Sequence, residues 1–209
     1  MTPIFLSEPE RITLRDQSQL MIRPIRPDDA PRLQALHSRL RLETIYLRFL
    51  SLHPVLQAEE AKRFANLDYR TRMAFVATEL VGQAEWIVGV ARYAVDGPLH
   101  PNEAEYAIVI EDRYQGRGLG TLLMDRLVNY ACANGIEFFV GEVSIENEGM
   151  LHLLHRLDLP LEQHLEAGVW EVRIQLKVKS HPKVRRPANH RRSTIHSKPV
   201  HRKNLPTAG

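Results

Sequence analysis

The chain has 209 residues, of which 44% are hydrophobic, and it carries a formal net charge of +3. This length and composition suit one domain of ordinary size with a real core. The sequence has no run of about 18 apolar residues, no signal-peptide pattern at its start and a single cysteine. We therefore expect no membrane contact, no internal disulfide and a cytoplasmic location.

The charge is divided unevenly along the chain. Residues 177–209 contain ten lysines and arginines and no acidic residue, which leaves 18 basic and 25 acidic residues in positions 1–176. This tail lacks apolar periodicity and is predicted to be disordered. It could contact nucleic acid or an acidic partner, or it could be a terminal extension without a specific partner. We divide the chain into segment 1–20 with the first strand, a folded domain at 21–176 and the tail.

The elements predicted in chain order begin with a hairpin that turns at residues 16–18. Asp28 or Asp29 is expected to cap the helix that follows. Further helices are predicted near 43–49, 57–65, 119–134 and 147–157, and strands near 72–78, 84–93, 104–110, 138–143 and 169–176. Strands followed by alternating helices and strands predict an α/β domain with a mixed sheet.

The most informative motif is a glycine-rich turn between the strand 104–110 and the helix 119–134. Such a turn exposes unpaired backbone N–H groups and the positive end of the helix dipole, which together bind phosphate. The motif reads Gln115-Gly116-Arg117-Gly118-Leu119-Gly120. It lacks the lysine of a P-loop, and its glycine spacing differs from the dinucleotide-binding fingerprint. The pattern Arg/Gln-x-x-Gly-x-Gly/Ala, in contrast, is satisfied.

With this motif the chain resembles the GNAT superfamily of N-acetyltransferases. The resemblance implies a mixed, mostly antiparallel central sheet flanked by helices, and acetyl-CoA as co-substrate. It assigns the pyrophosphate cradle to the turn formed by Gln115, Gly116, Arg117, Gly118, Leu119, Gly120 and Thr121. Asn147 matches the family asparagine that contacts the pantetheine arm. The backbone of Ile108, Val109 and Ile110 is expected to bind the pantetheine amides and to polarise the thioester carbonyl.

Glu105 is the candidate catalytic base. The amine must lose a proton as it attacks, since a lysine with a pKa near 10.4 is almost fully protonated at neutral pH. Glu105 lies on an apolar strand, on the opposite face from Tyr106, and partial burial there would raise its pKa. Bacterial protein lysine acetyltransferases often carry an acid in this strand. The alternatives are that Glu105 is an ordinary exposed residue or an ion-pair partner, with Glu103 and Glu142 as substitute bases.

Residues 22–29 and 43–49 are similar to the acetyltransferase domain of bacterial protein lysine acetyltransferases. The expected reaction is therefore direct attack of a protein lysine on acetyl-CoA in a ternary complex. A small-molecule amine acceptor and a non-catalytic acetyl-CoA-sensing module are the alternatives. Acceptor loops are expected at about 49–57 and 159–169, and no histidine spacing indicates a metal site. The oligomeric state cannot be read from the sequence.

The chain departs from the family at the position of the general acid. Many members have a tyrosine seven residues after the asparagine, where it protonates the CoA thiolate. Leu154 occupies that position here. Tyr114 is a weak substitute because it is expected close to the phosphate turn and not to the sulfur.

Overall fold

The computed structural model of the chain describes residues 8–95, 97 and 99–177. From residue 178 onward, the tail that was predicted to be disordered lies outside these described residues. No helix within the described ranges is long and apolar enough to cross a membrane.

Eight strands form one sheet in the order β1-β2-β3-β4-β5-β6-β8-β7. Their bounds are Glu10–Thr13, Gln19–Pro24, Arg72–Val81, Ala84–Val95, Glu103–Ile110, Phe138–Ser144, Leu161–Glu166 and Val169–Gln175 for β1 to β8. Every neighbouring pair is antiparallel except β5 and β6, which run parallel. The predicted fold class, a mixed and mostly antiparallel sheet flanked by helices, is confirmed.

Five α-helices lie within the described ranges, close to their predicted positions. They are α1 at Ala30–Arg39, α2 at Leu42–Phe49, α3 at Ala58–Ala65, α4 at Leu119–Ala133 and α5 at Glu148–Arg156. One face of the sheet packs against α4 and α5, with Leu123, Leu127 and Phe139 in that core. The opposite face packs against α1 and α3 through residues such as Leu36 and Ala61. Each helix thereby buries its apolar stripe on the sheet.

The segment 159–169, which was predicted to be an acceptor loop, contains the strand β7. It pairs with β8 through a tight turn at Ala167 and Gly168, whose φ angles are 48° and 83°. Positive φ at both central residues suits the right-handed twist of a two-residue hairpin. The Ala-Gly pair between two strand-like runs was the signal for this hairpin. At the other edge, β1 pairs with β2, so residue 20 marks no break in the sheet.

A closed network of charges joins β2, β4 and the start of α1. Arg23 is 2% exposed and donates to both carboxylate oxygens of Asp29, at 2.7 and 2.8 Å, and to Glu85 at 2.9 Å. Asp29 also accepts the backbone N–H of Arg26 at 2.8 Å. Asp29 occupies the N-cap position of α1 without making a side-chain capping bond. The predicted capping aspartate thus serves mainly as the partner of a buried arginine.

Candidate active site

A groove opens where β5 and β6 separate. Their pairing extends only from Glu103 opposite Phe138 to Glu105 opposite Val140, whereas β5 remains paired with β4 as far as Ile110. The groove has a volume of about 880 Å³ and is lined by β5, β6, β7, β8, the end of α2 and the start of α5. This volume lies in the range of small-molecule sites.

Alternate backbone groups of β5 face this groove. The N–H of Glu111 donates to the carbonyl of Val88 at 2.9 Å, and the register places Val109 opposite Val90. Because successive residues of an antiparallel ladder direct their N–H and C=O groups to opposite sides, Val109 is turned toward β4. Ile108 and Ile110 therefore direct their backbone N–H and C=O groups toward the side of the groove, and Ile108 is one of the residues that line the groove. The structure therefore brings Ile108, but not the backbone of Val109, to a position where a ligand could add as a strand.

The glycine turn begins α4 with two residues in the left-handed region. Gly116 has a φ of 71° and Gly118, the N-cap residue, a φ of 90°. A side chain would be strained in this conformation. The first intrahelical bond runs from the N–H of Leu122 to the carbonyl of Gly118 at 3.3 Å. The preceding N–H groups at the helix start, including those of Gly120 and Thr121, therefore have no partner within the helix.

Positive side chains surround this turn. Arg117 donates to Asp16 at 2.5 Å, and its guanidinium lies 5.4 Å from the ring centre of Tyr114. The Nε atom of Arg15 would lie 3.7 Å from a β-carbon added at Gly118. The amide of Gln115 donates to the carbonyl of Ile110 at 3.0 Å, so this side chain holds the turn against the end of β5. Free N–H groups, a helix N-terminus and nearby arginines together fit a pyrophosphate.

The start of α5 forms another wall of the groove. The Oδ1 atom of Asn147 caps the helix by accepting the N–H of Met150 at 3.0 Å, and both residues line the groove. The cap leaves the Nδ2 group of Asn147 as the donor for a ligand. Near this wall, a β-carbon at Gly120 would lie 3.5 Å from Leu153, an ordinary packing distance, so α4 and α5 lie close together here. Leu154 is 3% exposed in the core and turns away from the groove.

Glu105 lies on the groove wall, and its neighbour Tyr106 points to the opposite face of the sheet, as the alternation predicted. The partial burial that we expected for Glu105 is absent, because its side chain is exposed. Of the two substitutes, Glu103 is engaged with Arg173 at 2.7 Å. Glu142 is exposed on β6 and lines the same groove. The role of Glu105 as base stays a prediction.

Tyr106 borders the groove, but its side chain packs in the core on the opposite face of the sheet, where its hydroxyl is buried. This hydroxyl has no hydrogen-bond partner among the described residues. Burial raises the pKa of the phenol, so the group remains protonated at neutral pH. Gly141 allows the ring to pack tightly, since a β-carbon there would lie 3.1 Å from the Cε1 atom of Tyr106. The core on this face of the sheet therefore holds an unsatisfied hydroxyl donor.

The lining of the groove carries an excess of acidic side chains. Four carboxylates line it, against two arginines: Glu105, Glu142, Glu162 and Glu171, with Arg48 and Arg173. Glu142 and Glu171 lie directly opposite each other on β6 and β8, where like charges destabilise a sheet. A cation held between these strands would relieve that repulsion. In the described part of the chain, no group of acidic, histidine or cysteine side chains is arranged to hold a metal ion.

Two arginines beside the groove were not singled out from the sequence. They are Arg48 on α2 and Arg92 on β4, and both line the small cavity that adjoins the groove below α1. The available signal was a charged residue within the apolar strand Val88-Gly89-Val90-Ala91-Arg92-Tyr93. Removing a charge from water at such a position costs free energy, unless the charge has an ion-pair partner or binds a ligand.

Comparisons with known proteins agree with this geometry. The profile of the Acetyltransferase (GNAT) family matches residues 39–158. An acetyltransferase of Pseudomonas aeruginosa is 32% identical over 141 residues, which cover 68% of this chain and 75% of that protein. Acetyltransferase Pat of Mycolicibacterium smegmatis is 30% identical over 149 residues, 71% of this chain and 44% of that protein. The crystal structure of the GNAT domain of S. lividans PAT matches with a TM-score of 0.72 at 28% identity, over 80% of this chain and 97% of that one.

Proposed function

Because this chain belongs to the GNAT family of acetyltransferases and uses acetyl-CoA, we propose that it acetylates lysine side chains of proteins. The observation that carries the proposal is the acidic lining of the groove around Glu105. A protonated lysine is attracted to such a surface before it reacts. The resemblance to protein lysine acetyltransferase domains favours the same acceptor.

In this proposal the turn 115–121 holds the pyrophosphate, and Asn147 and the backbone of Ile108 hold the pantetheine arm. Acetyl-CoA supplies the acetyl group as a thioester. Glu105 takes a proton from the lysine ammonium, directly or through water, and the neutral amine then attacks the thioester carbon while the N–H of Ile108 stabilises negative charge on the carbonyl oxygen. The C–N bond forms, the C–S bond breaks, and CoA leaves as a thiolate that takes up the second amine proton. The residues that line the groove in the described ranges include no cysteine or serine. This supports direct attack by the lysine without a covalent enzyme intermediate.

The test follows acetyl transfer from acetyl-CoA to a mixture of lysine peptides, with mass spectrometry of the products and a thiol assay for released CoA. We expect Glu105→Gln to lower kcat about 10²- to 10⁴-fold, because a general base contributes that much. Calorimetric binding of acetyl-CoA should not change. Glu166→Gln, an exposed carboxylate on β7 outside the groove lining, is the matched control for charge.

Two results would contradict parts of this proposal separately. Unchanged turnover in Glu105→Gln, with a large loss in Glu142→Gln, would move the base to β6 and leave the reaction intact. Tight acetyl-CoA binding with no transfer to any peptide, but rapid transfer to small amines, would reject the protein acceptor.

A further inference from the structure

Arg48 and Arg92 lie together beside the part of β5 that carries Glu105. Arg48 lines both the groove and the adjoining cavity of about 50 Å³, and Arg92 lines that cavity. On the sheet, Arg92 is paired with Ala107, and Ala107 is itself part of the groove wall. The two cations therefore border the position that an acceptor must occupy to reach the thioester.

Neither guanidinium has an ion-pair partner in the described part of the chain. Arg92 lies 4.2 Å from the ring centre of Phe64 and donates to the carbonyl of Phe64 at 3.1 Å. Arg48 lies 4.8 Å from the ring centre of Phe49. Aromatic faces and a carbonyl offset only part of the cost of taking a charge out of water.

The two charges also act on each other. Burial lowers the pKa of Arg92 to about 9, and the positive charge of Arg48 acts in the same direction. Burial lowers the pKa of Arg48 as well, while the carboxylates of Glu105 and Glu60 partly offset this effect. An anion bound at the pair would remove the repulsion and replace lost hydration.

Glu105 attracts Arg48 without forming an ion pair with it, and two other carboxylates near the groove are engaged elsewhere. Glu60 contacts the Nε2 atom of His53 at 3.0 Å, and Glu103 is bonded to Arg173 at 2.7 Å. Arg173 lines the same groove, so an arginine there can be neutralised by the protein itself. Arg48 has only the partial compensation of Glu105 and Glu60, with which it forms no ion pair, and Arg92 is paired with no described carboxylate, so the two arginines can receive an anion.

We infer that Arg48 and Arg92 bind a carboxylate of the acceptor, and that the preferred lysine has an acidic side chain as its neighbour. The arginine fork matches the planar geometry of a carboxylate. The acidic side chains of the groove attract the ammonium group while the arginine pair receives the anion. The inference rests on the proposed function for its acceptor, and a free amino acid offers the same two charges.

The first experiment measures kcat/KM for matched peptides with a single lysine flanked by Glu or by Gln. The wild type should prefer the Glu peptide about ten- to hundredfold, the value of hydrogen bonds to a charged group. Arg48→Gln and Arg92→Gln should reduce this ratio to about one. Arg63→Gln, which removes an exposed charge on α3, should keep it.

If Arg48 acted only by orienting Glu105, Arg48→Gln would lower kcat equally for both peptides and keep their ratio, which would overturn the inference. A further set of assays compares kcat/KM for two small acceptors, Nα-acetyl-lysine, which has a free carboxylate, and its amide. A carboxylate preference confined to these small acceptors would support the subsite but reject an acidic neighbour in a protein.

The second experiment does not depend on turnover. Calorimetry with CoA present measures the binding of the same two peptides, acetylated at their lysine. Tighter binding of the Glu peptide, lost in Arg48→Gln, would support the arginine subsite even if no peptide were acetylated, and the proposed function alone would then fail. Equal binding of both peptides would overturn the inference, whatever the enzyme turns over.

Discussion

Arg23 and Arg92 extend from the same face of the sheet, and their surroundings differ completely. Arg23 on β2 is enclosed by Asp29 and Glu85, with hydrogen bonds of 2.7–2.9 Å. Burial by itself would lower the pKa of its guanidinium, but these bonds outweigh burial and raise it. Arg92 on β4 contacts the backbone carbonyl and the aromatic ring of Phe64. Its pKa is lowered to about 9.

This difference distinguishes an arginine that stabilises the fold from an arginine that can bind an anionic ligand. The Arg23 network satisfies both carboxylate oxygens of Asp29 and holds β2, β4 and the start of α1 together. The pair of Arg48 and Arg92 lies where the sheet opens, and neither arginine forms an ion pair with a described side chain. Glu105 and Glu60 only partly offset the effect of burial on Arg48. A half-buried charge without an ion-pair partner is therefore a better guide to a ligand site than a buried charge as such.

The largest effect is expected at the closed network. Asp29→Ala leaves the buried Arg23 with Glu85 as its remaining partner, so the free energy of unfolding should fall by about 3 kcal/mol, the lower end of the cost of breaking a buried ion pair. Chemical denaturation at neutral pH measures this loss. Asp28→Ala, at the exposed neighbouring position, should change stability by less than about 0.5 kcal/mol. A small loss in Asp29→Ala would remove the distinction between the two arginines.

A smaller effect is expected at Asp112, which ties the start of α2 to the turn after β5. It accepts the backbone N–H of Arg41 at 3.0 Å and the hydroxyl of Thr44 at 2.7 Å. Burial acts to raise the pKa of Asp112, but these bonds and the Arg41 guanidinium outweigh it and lower it. Asp112→Asn should cost about 1–2 kcal/mol at pH 7, because charge-assisted bonds are lost.

The pH dependence of this contribution has a defined sign. Because the folded pKa of Asp112 lies below its unfolded value of about 3.9, the stabilisation is fully present above that value. It is lost as the pH falls through the lower, folded pKa. Urea unfolding of wild type and Asp112→Asn should therefore show a gap in stability that closes in acid. A gap that persists in acid would mean that shape, and not the charge of Asp112, holds α2.

The smallest change in stability is expected for Arg92→Met. Removal of an uncompensated cation relieves its desolvation cost, while the methionine keeps apolar contact, so stability should change by no more than about 1 kcal/mol. Arg23→Met is the matched control and should lose about 3 kcal/mol, because the buried Asp29 then keeps only the half-exposed Arg32 as its ion-pair partner, at 3.1 Å. Thermal and urea unfolding give both values. A comparable loss of unfolding free energy in the two variants would contradict the distinction between Arg23 and Arg92.

Much of the fold could be predicted because its signals are local. The glycine turn, the alternation that separates Glu105 from Tyr106, and the helix bounds depend on neighbouring residues and their dihedral preferences. The strand β7 was missed because its polar residues, such as Glu162 and His164, hide the period of two on an exposed edge. Its two-residue turn carried the clearer signal.

The candidate site was predicted only in part. The turn 115–121 and Asn147 follow from motif spacing, and the structure places Asn147 on the groove wall. The orientation of the Val109 backbone toward β4 follows from the register between β4 and β5, which cannot be read from the sequence. Arg48 and Arg92 were missed because an arginine in a helix and one in a strand look unrelated until tertiary packing brings them together.

The sequence by itself determined the local features: a positive-φ turn that only glycines hold without strain, an acid on an alternating strand, and the order of helices and strands. Only the tertiary structure decided where β5 and β6 part, that Glu105 is exposed, and which arginines are neutralised. The physical reason is that backbone preferences act between neighbours in the chain. Charge compensation and strand separation depend on distances between residues far apart in sequence.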